Sequence, residues 1–439
     1  MAARLGVRPA LAQSGSSLRD ILDGNAQLAC GLRNGEQVRK FYELRDYEPA
    51  WSASSDSTVA VGLLREAHAD GLDPATFALD AIAARQDLKT AGTGSEFELL
   101  LTDSMLSYVN AMRGARSLTA RQGPYYDLPI VSYDPVDVLL RAVGGDGLQD
   151  LPLTAAPSHV EYAQIKRAGL AQDGKAGAAG DGPIIANMER WRWVPNAFED
   201  TCIVVNSADA TLKFIREGQV TLESRIVAGK ATTPTPLFRT EVSAVIVNPS
   251  WDIPGDIADK EIWPAARRHK GYFSARHIVA DRPGGALRQL PGPTNALGRI
   301  MLDMPNRFDS YLHDTPHKAL FTRQDRHFSH GCMRVEQMEA LASCLLHGDS
   351  EDGADDLREA IADGQTQRLS IPEAVPVYVL YWTTVPSENG ALNRHRDIYG
   401  WDKKVLEALR AKGGDDPDSN SDCPSDGREA NLPDTDENQ

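Results

Sequence analysis

A change of hydrophobic rhythm near residue 184 narrows most what this chain can fold into. Upstream, runs such as VAVGLLREAHADGLD and FELLLTDSMLSYVNAMRGAR space their apolar residues three to four apart, as amphipathic helices do. Asp73-Pro74 adds an N-cap followed by a first-turn proline. Downstream, DTCIVVNSADATLKFIREGQVTLESRIVAGK breaks into short β-rich runs divided by Asn-Ser and Glu-Gly turns. EVSAVIVNPSW, NALGRIMLDMP and FDSYLHDTP continue that pattern, and AVPVYVLYWTTVP is its strongest strand. One helix interrupts it, RVEQMEALASCLLHG, with Val335, Met338, Leu341, Ala342, Leu345 and Leu346 on one face and Gly348 as its stop. The expected chain is α+β, with a helical region over about 16–183 ahead of a mostly-β domain over 184–412. Between strands, residues of about 251–291 are too long for a hairpin loop and rich in aromatics, which suggests an ordered lid.

Composition excludes some roles. The formal charge of −16 opposes general nucleic-acid binding, which needs Lys and Arg to neutralise phosphates. Part of that charge sits in the tail, 413–439, where nine acids face one arginine in a segment that reads as disordered. Residues 1–15 contain the small-x-small ALA of a signal-peptidase site but lack the apolar run before it, so they read as disordered or as a signal remnant. No apolar run reaches membrane-spanning length. Five scattered cysteines (Cys30, Cys202, Cys332, Cys344, Cys423) make no disulfide framework.

The chemistry concentrates in YLHDTPHKALFTRQDRHFSHGCMRV, residues 311–335, with four histidines and one cysteine. A nucleophilic cysteine needs its thiol deprotonated by a nearby imidazole or another positive influence. Gly331 permits a tight turn, and the Gly331 and Cys332 amides are candidates to face a developing oxyanion. Cys332 also directly precedes the helix expected from near Val335, where helix-end polarity favours a thiolate. His313, at a strand end, is a candidate base. A metal site is the competing reading, since His327-x2-His330 and Cys344-x2-His347 have ligand-like spacing. An inert buried thiol is the third.

The segment resembles the active-site signature of the L,D-transpeptidases, the YkuD-type catalytic domain: a histidine, then Ser/Thr-His-Gly-Cys, an apolar residue, and Asn or Arg. Here these are His313, then Ser329-His330-Gly331-Cys332-Met333-Arg334. NMERWRWVP, TPLF, VNPSWDIP, QLPGPTNALGRIMLDMPN, YLHDTPHKALF, VPVYVLYWT and RDIYGWD resemble the YcbB branch, and FYELRDYEPAW and ADGLDPATF its helical scaffold. The likeness covers roughly 35–410.

It implies a YkuD-like catalytic domain with a helical capping insertion behind an α-helical scaffold domain, in the periplasm of a Gram-negative bacterium. Cys332 would attack a tetrapeptide stem after meso-diaminopimelate, release D-alanine and pass the thioester to an acceptor amine as a 3→3 cross-link, with His313 as base. Tyr311, Ser329, His330, Gly331 and Arg334 would serve the oxyanion or position substrate. Trp251, Trp263 and Tyr272 are lid candidates. No metal or cofactor is implied. Peptidoglycan stems would be the partners, together with cell-wall synthesis proteins.

The same acyl-enzyme would serve 1→3 cross-links, D-amino-acid exchange, L,D-carboxypeptidase hydrolysis or protein attachment. An inactive wall-binding scaffold is the alternative of another class. The chain departs from the branch in two respects: only the Gly/Ala-rich stretch 171–183 stands where a compact peptidoglycan-binding domain commonly lies, and the acidic tail has no counterpart there.

Overall fold

The computed structural model describes residues 18–24, 31–52, 54–87, 94–143, 146–173, 182–347, 351–387 and 389–411. The first fifteen residues, Cys30, Cys423, Gly348, most of the 171–183 stretch and the acidic tail lie outside them. Two compact units emerge, one of residues up to 116 with 133–156, the other of 117–132 with 157–411. Segments 117–132 and 157–173, read from sequence with the helical region, thus group with the strand-rich one.

The first unit is helical. Its longest helix, α2 (Gly94–Met112), runs past α1 (Gly35–Glu43) and α3 (Pro135–Ala142). Asp134 caps α3 ahead of Pro135, its carboxylate accepting from the Val136 amide at 3.0 Å. The Asp73-Pro74 signal caps a 3₁₀ turn, Pro74–Phe77, and not a full helix. Glu98 is buried in α2, yet its carboxylate accepts from the Ala50 and Trp51 amides and from the Tyr42 hydroxyl, each at 3.0 Å. A buried charge persists only with such partners.

The second unit is built on a sheet that closes on itself. Its strands are β1 (Tyr126–Asp127), β2 (Cys202–Asn206), β3 (Thr211–Arg216), β4 (Gln219–Gly229) and β5 (Leu237–Val247). They continue as β9 (Ile300–Asp303), β10 (Leu312–His313), β11 (His327–Ser329), β12 (Met333–Val335) and β13 (Gln367–Leu380), with β6 to β8 in the lid. The order β5-β13-β2-β3-β4-β12-β10-β9 returns to β5, and β1 and β11 add to β5 and β4. Closure removes the exposed edges that open sheets must protect. β13 slips register between Ser370 and Val375, where Pro372 interrupts the ladder.

Alternation sets the core. Leu212 and Phe214 point inward from β3, and Ile300 and Leu302 from β9. Helix α5 (Met338–His347), which follows α4 (Gly182–Trp191) in the chain, buries Met338, Leu341, Ala342, Leu345 and Leu346 in the same core. It starts at Met338 and not near Val335, because Met333–Val335 is held as a strand by β4 on one side and β10 on the other. Helix α6 (Trp401–Arg410) lies against α4.

Residues 251–289 form the lid. Its strands β6 (Trp251–Ile253), β7 (Ile278–Ala280) and β8 (Leu287–Gln289) pair in the order β6-β8-β7, joined by short helical turns. Ile253, Ala258, Ile262, Ile278 and Leu287 give it a small core of its own. Buried Asn295 anchors its base, donating to the Pro249 and Leu290 carbonyls at 3.0 Å each.

Candidate active site

The cysteine turn crosses over the end of one strand. β11 pairs parallel with β4 (Ser329 opposite Gly229), and β12 returns antiparallel on it (Arg334 opposite Val227). The reversal between them needs Gly331, whose φ of +120° is costly for any residue with a Cβ. Gly229 is required for another reason: a Cβ there would lie 2.3 Å from the Thr233 carbonyl oxygen.

Side chains then fix the turn. Ser329 Oγ donates to the Cys332 carbonyl at 2.5 Å and accepts the Gly331 amide at 3.1 Å. Thr235 Oγ1 and Ser310 Oγ donate to the Gly331 carbonyl at 2.9 and 3.2 Å, and Thr233 Oγ1 donates to the Ser329 carbonyl at 3.0 Å. The Gly331 N–H, expected from the sequence to be free for an oxyanion, is therefore taken up by Ser329.

β10 brings the histidine. It pairs parallel with β12, His313 opposite Arg334 and Leu312 opposite Met333. The Met333 amide donates to the Tyr311 carbonyl at 2.9 Å. Side chains two apart on a strand share a face, so Tyr311 and His313 project on the same side as Cys332 and Arg334. All four line one cavity of about 870 Å³ under the lid.

His313 is 4% exposed, and its Nδ1 lies 2.5 Å from the Asp314 carbonyl oxygen. A carbonyl only accepts, so Nδ1 carries the proton and Nε2 is left as the basic nitrogen. Burial, and then the Arg334 guanidinium, lower its pKa to about 4. Cys332 is half-buried, and its Sγ is 3.6 Å from the Asp309 carbonyl oxygen. Burial pushes its pKa up, while the Tyr311 amide, Arg334 and its own amide pull the other way. The two groups that share this face are therefore at rest a neutral thiol and a neutral imidazole. The expected help from helix polarity is missing, since a strand and not a helix follows the cysteine.

The other expected residues are spread around this pair. The Tyr311 hydroxyl donates to Asp309 Oδ1 at 3.3 Å, and its pKa is raised by burial and then by that carboxylate. Arg334 lines the cavity with its Nε buried and without a hydrogen-bond partner. His330 is exposed, its Nε2 2.7 Å from Glu261 Oε1 on a π-helical turn of the lid and 3.3 Å from Lys230 Nζ. Trp251 and Tyr272 line the cavity; Trp263 packs on Phe273 within the lid core, ring centres 5.2 Å apart.

His327 turns away to Asp325 and the Ser207 carbonyl, and Cys344 packs against the barrel core. Among the described residues no group of three or more His, Cys, Asp or Glu is placed to hold a metal ion. No helix among them is long and apolar enough to cross a membrane.

Asp309, Ser310, Thr235 and Glu261 were not singled out from the sequence. Thr235 opens the TPLF run that carried part of the resemblance; the other three had no local signal.

Residues 36–168 match the family model of the Scaffold domain, and residues 200–358 that of the YkuD L,D-transpeptidase catalytic domain. A Haemophilus influenzae protein named "Putative L,D-transpeptidase" is 28% identical over 397 residues, 84% of this chain and 78% of its own. A mutant of the Enterococcus faecium L,D-transpeptidase aligns at 19% identity and a TM-score of 0.21, over 42% of this chain and 50% of that one. The L,D-transpeptidase (Yku) of Stackebrandtia nassauensis aligns at 11% and 0.20, over 61% and 90%. These two structural likenesses are too slight to bear on the site, and this chain spans only half of the first. Residues 200–358 are thus an L,D-transpeptidase catalytic domain of the YkuD type, set behind a Scaffold domain over 36–168.

Proposed function

We propose that this chain cross-links peptidoglycan by cysteine acyl transfer. Cys332 Sγ attacks the stem carbonyl after meso-diaminopimelate while His313 Nε2 takes the thiol proton. The C–N bond to the terminal D-alanine breaks, and the imidazolium returns the proton to the departing amine. A side-chain amine of a second stem then attacks the thioester, its proton passing to His313 as the thiolate leaves, and a 3→3 bond results. The observation that carries this reading is the shared face of Tyr311, His313, Cys332 and Arg334 on β10 and β12, opening on the cavity under the lid.

Arg334, with an unpartnered buried Nε, suits a substrate carboxylate, and Asp309 and Asp256 on the same cavity suit an ammonium. Contact between Glu261 and His330 holds the lid to the nucleophile turn, a means of excluding water from a thioester. Peptidoglycan stems place the work in the periplasm, with other cell-wall synthesis proteins as neighbours.

Intact-mass spectrometry after incubation with a carbapenem should show one adduct, which Cys332→Ala abolishes and His313→Ala slows. Disaccharide-tetrapeptide should yield 3→3 dimers with release of D-alanine. Tripeptide alone would mean hydrolysis and not transfer, and no adduct at all would refute the acyl-enzyme.

A further inference from the structure

The lid carries one cation that the chemistry above leaves unused. Arg276 closes the helical turn Tyr272–Ala275, two residues before β7, and lines the cavity that holds Cys332. Its guanidinium lies over the Tyr272 ring, 4.4 Å from the ring centre, a contact that a spacing of four residues brings about on a helical turn. Its backbone is fixed as well. Buried Gln289 of β8 donates from Nε2 to the Arg276 carbonyl at 3.0 Å and to the Thr294 carbonyl at 2.8 Å, while its Oε1 accepts the Ala296 amide at 3.0 Å. Both ends of this arginine are thus held in place.

Its charge is exposed and unanswered. Among the described residues the Arg276 guanidinium has neither a hydrogen-bond acceptor nor an ion-pair partner. The carboxylates that line the cavity face other groups: Glu261 meets His330, Asp252 meets Arg288, Asp256 meets Lys260, and Asp309 accepts from the Tyr311 hydroxyl. Over 251–291 the lid holds seven Lys and Arg against five Asp and Glu, in a chain of net charge −16, so this one segment favours an anion. A guanidinium laid flat on an aromatic ring keeps its N–H fork free at the edge, the geometry that takes a carboxylate with two bonds.

We propose that Arg276 grips a carboxylate of the donor stem from the lid, a second anchor besides Arg334 on β12, and so selects stems whose acid is free over stems amidated there. The inference deepens the peptidoglycan reading above and rests on it. A tetrapeptide stem offers three carboxylates: the main-chain one of its γ-linked glutamate, the side-chain one of diaminopimelate and the terminal one of D-alanine. Held beforehand by Tyr272 and Gln289, the arginine gives up little freedom on binding.

The test titrates the full chain carrying Cys332→Ala, which lacks the proposed nucleophile, with the tetrapeptide stem. It follows tryptophan fluorescence, since Trp251 lines the same cavity. Saturation at about 1 mM or below is expected. Adding Arg276→Gln should weaken the free-acid stem about tenfold. The stem is then amidated at each carboxylate in turn. One amide should bind about tenfold more weakly than the free acid, and equally with Arg276 or Gln present, which names the carboxylate held. Urea unfolding reports that the variant is folded. Four results would each overturn the proposal: no saturable binding of the free-acid stem, undiminished binding by folded Arg276→Gln, three amides that all bind as tightly as the free acid, or an Arg276→Gln loss that survives in all three. Comparing amides on the chain that keeps Arg276 needs no second variant, so it decides even where Arg276→Gln does not fold. Carbapenem adduct formation by the wild type is scored separately; its absence together with Arg276-dependent binding would sink the acyl transfer and leave this proposal standing.

Discussion

Acid should destabilise the catalytic unit through His313 alone by an amount that the structure sets. The imidazole is 4% exposed, with Nδ1 held by the Asp314 carbonyl and Arg334 close enough to oppose a second positive charge. Its pKa is about 4 in the fold, against 6.5 ordinarily. Because the folded value is the lower one, the unfolded chain binds the extra proton first as pH falls. Stability from the buried neutral ring is therefore complete above about pH 6.5 and is lost as pH drops through about 4. At 1.36 kcal/mol for each tenfold change, the loss between pH 7 and pH 4 reaches about 3 kcal/mol. Carboxylates titrate in the same range, so the measurement is a difference. Urea unfolding of the wild type and of His313→Gln, which carries no titratable ring, is followed from about pH 7 to about pH 4. The stability difference between the two should shift by about 3 kcal/mol toward the variant. The acid limb of wild-type carbapenem acylation should also fall near pH 4, because the base must be neutral to accept the thiol proton. Parallel stability curves for the two proteins would refute the buried neutral imidazole.

Two further substitutions test the supports of the pair. Ser329→Ala removes the hydroxyl that joins the Gly331 amide to the Cys332 carbonyl; leaving two backbone groups unpaired should cost about 2 to 4 kcal/mol in urea unfolding and slow acylation, and a loss under about 0.5 kcal/mol would show that the turn holds without it. Arg334→Leu removes a half-buried cation whose Nε has no partner, so the fold should be no less stable; KM for an acidic stem should rise, and the acid limb of acylation should move to higher pH as His313 loses a repelling neighbour, while an unmoved limb would separate Arg334 from the histidine.

What could be read from the sequence follows the range of each interaction. The switch from helix to strand was legible because it rests on spacing within a dozen residues, and so was the apolar face of α5. The start of that helix was not. Met333 and Val335 are apolar two apart, which fits a short strand or the leading edge of a helical face equally well. Pairing to β4 and β10, whose partner residues lie 21 to more than 100 positions away, decided for the strand. The electrostatics failed with it, since the anticipated thiolate leaned on helix polarity at a place where the chain is extended. Gly331 illustrates the same limit at shorter range: its amide looked free for an oxyanion until the neighbouring Ser329 hydroxyl took it. His313 stood out as a candidate base from its place at a strand end, and the family resemblance strengthened its pairing with Cys332; nothing in local spacing foretells that β10 and β12 run parallel. These misses point in one physical direction. Under the proposed acyl transfer, a thiol without a helix terminus or an adjacent imidazolium begins uncharged, so its activation would come during attack, from a base kept neutral by burial and by Arg334.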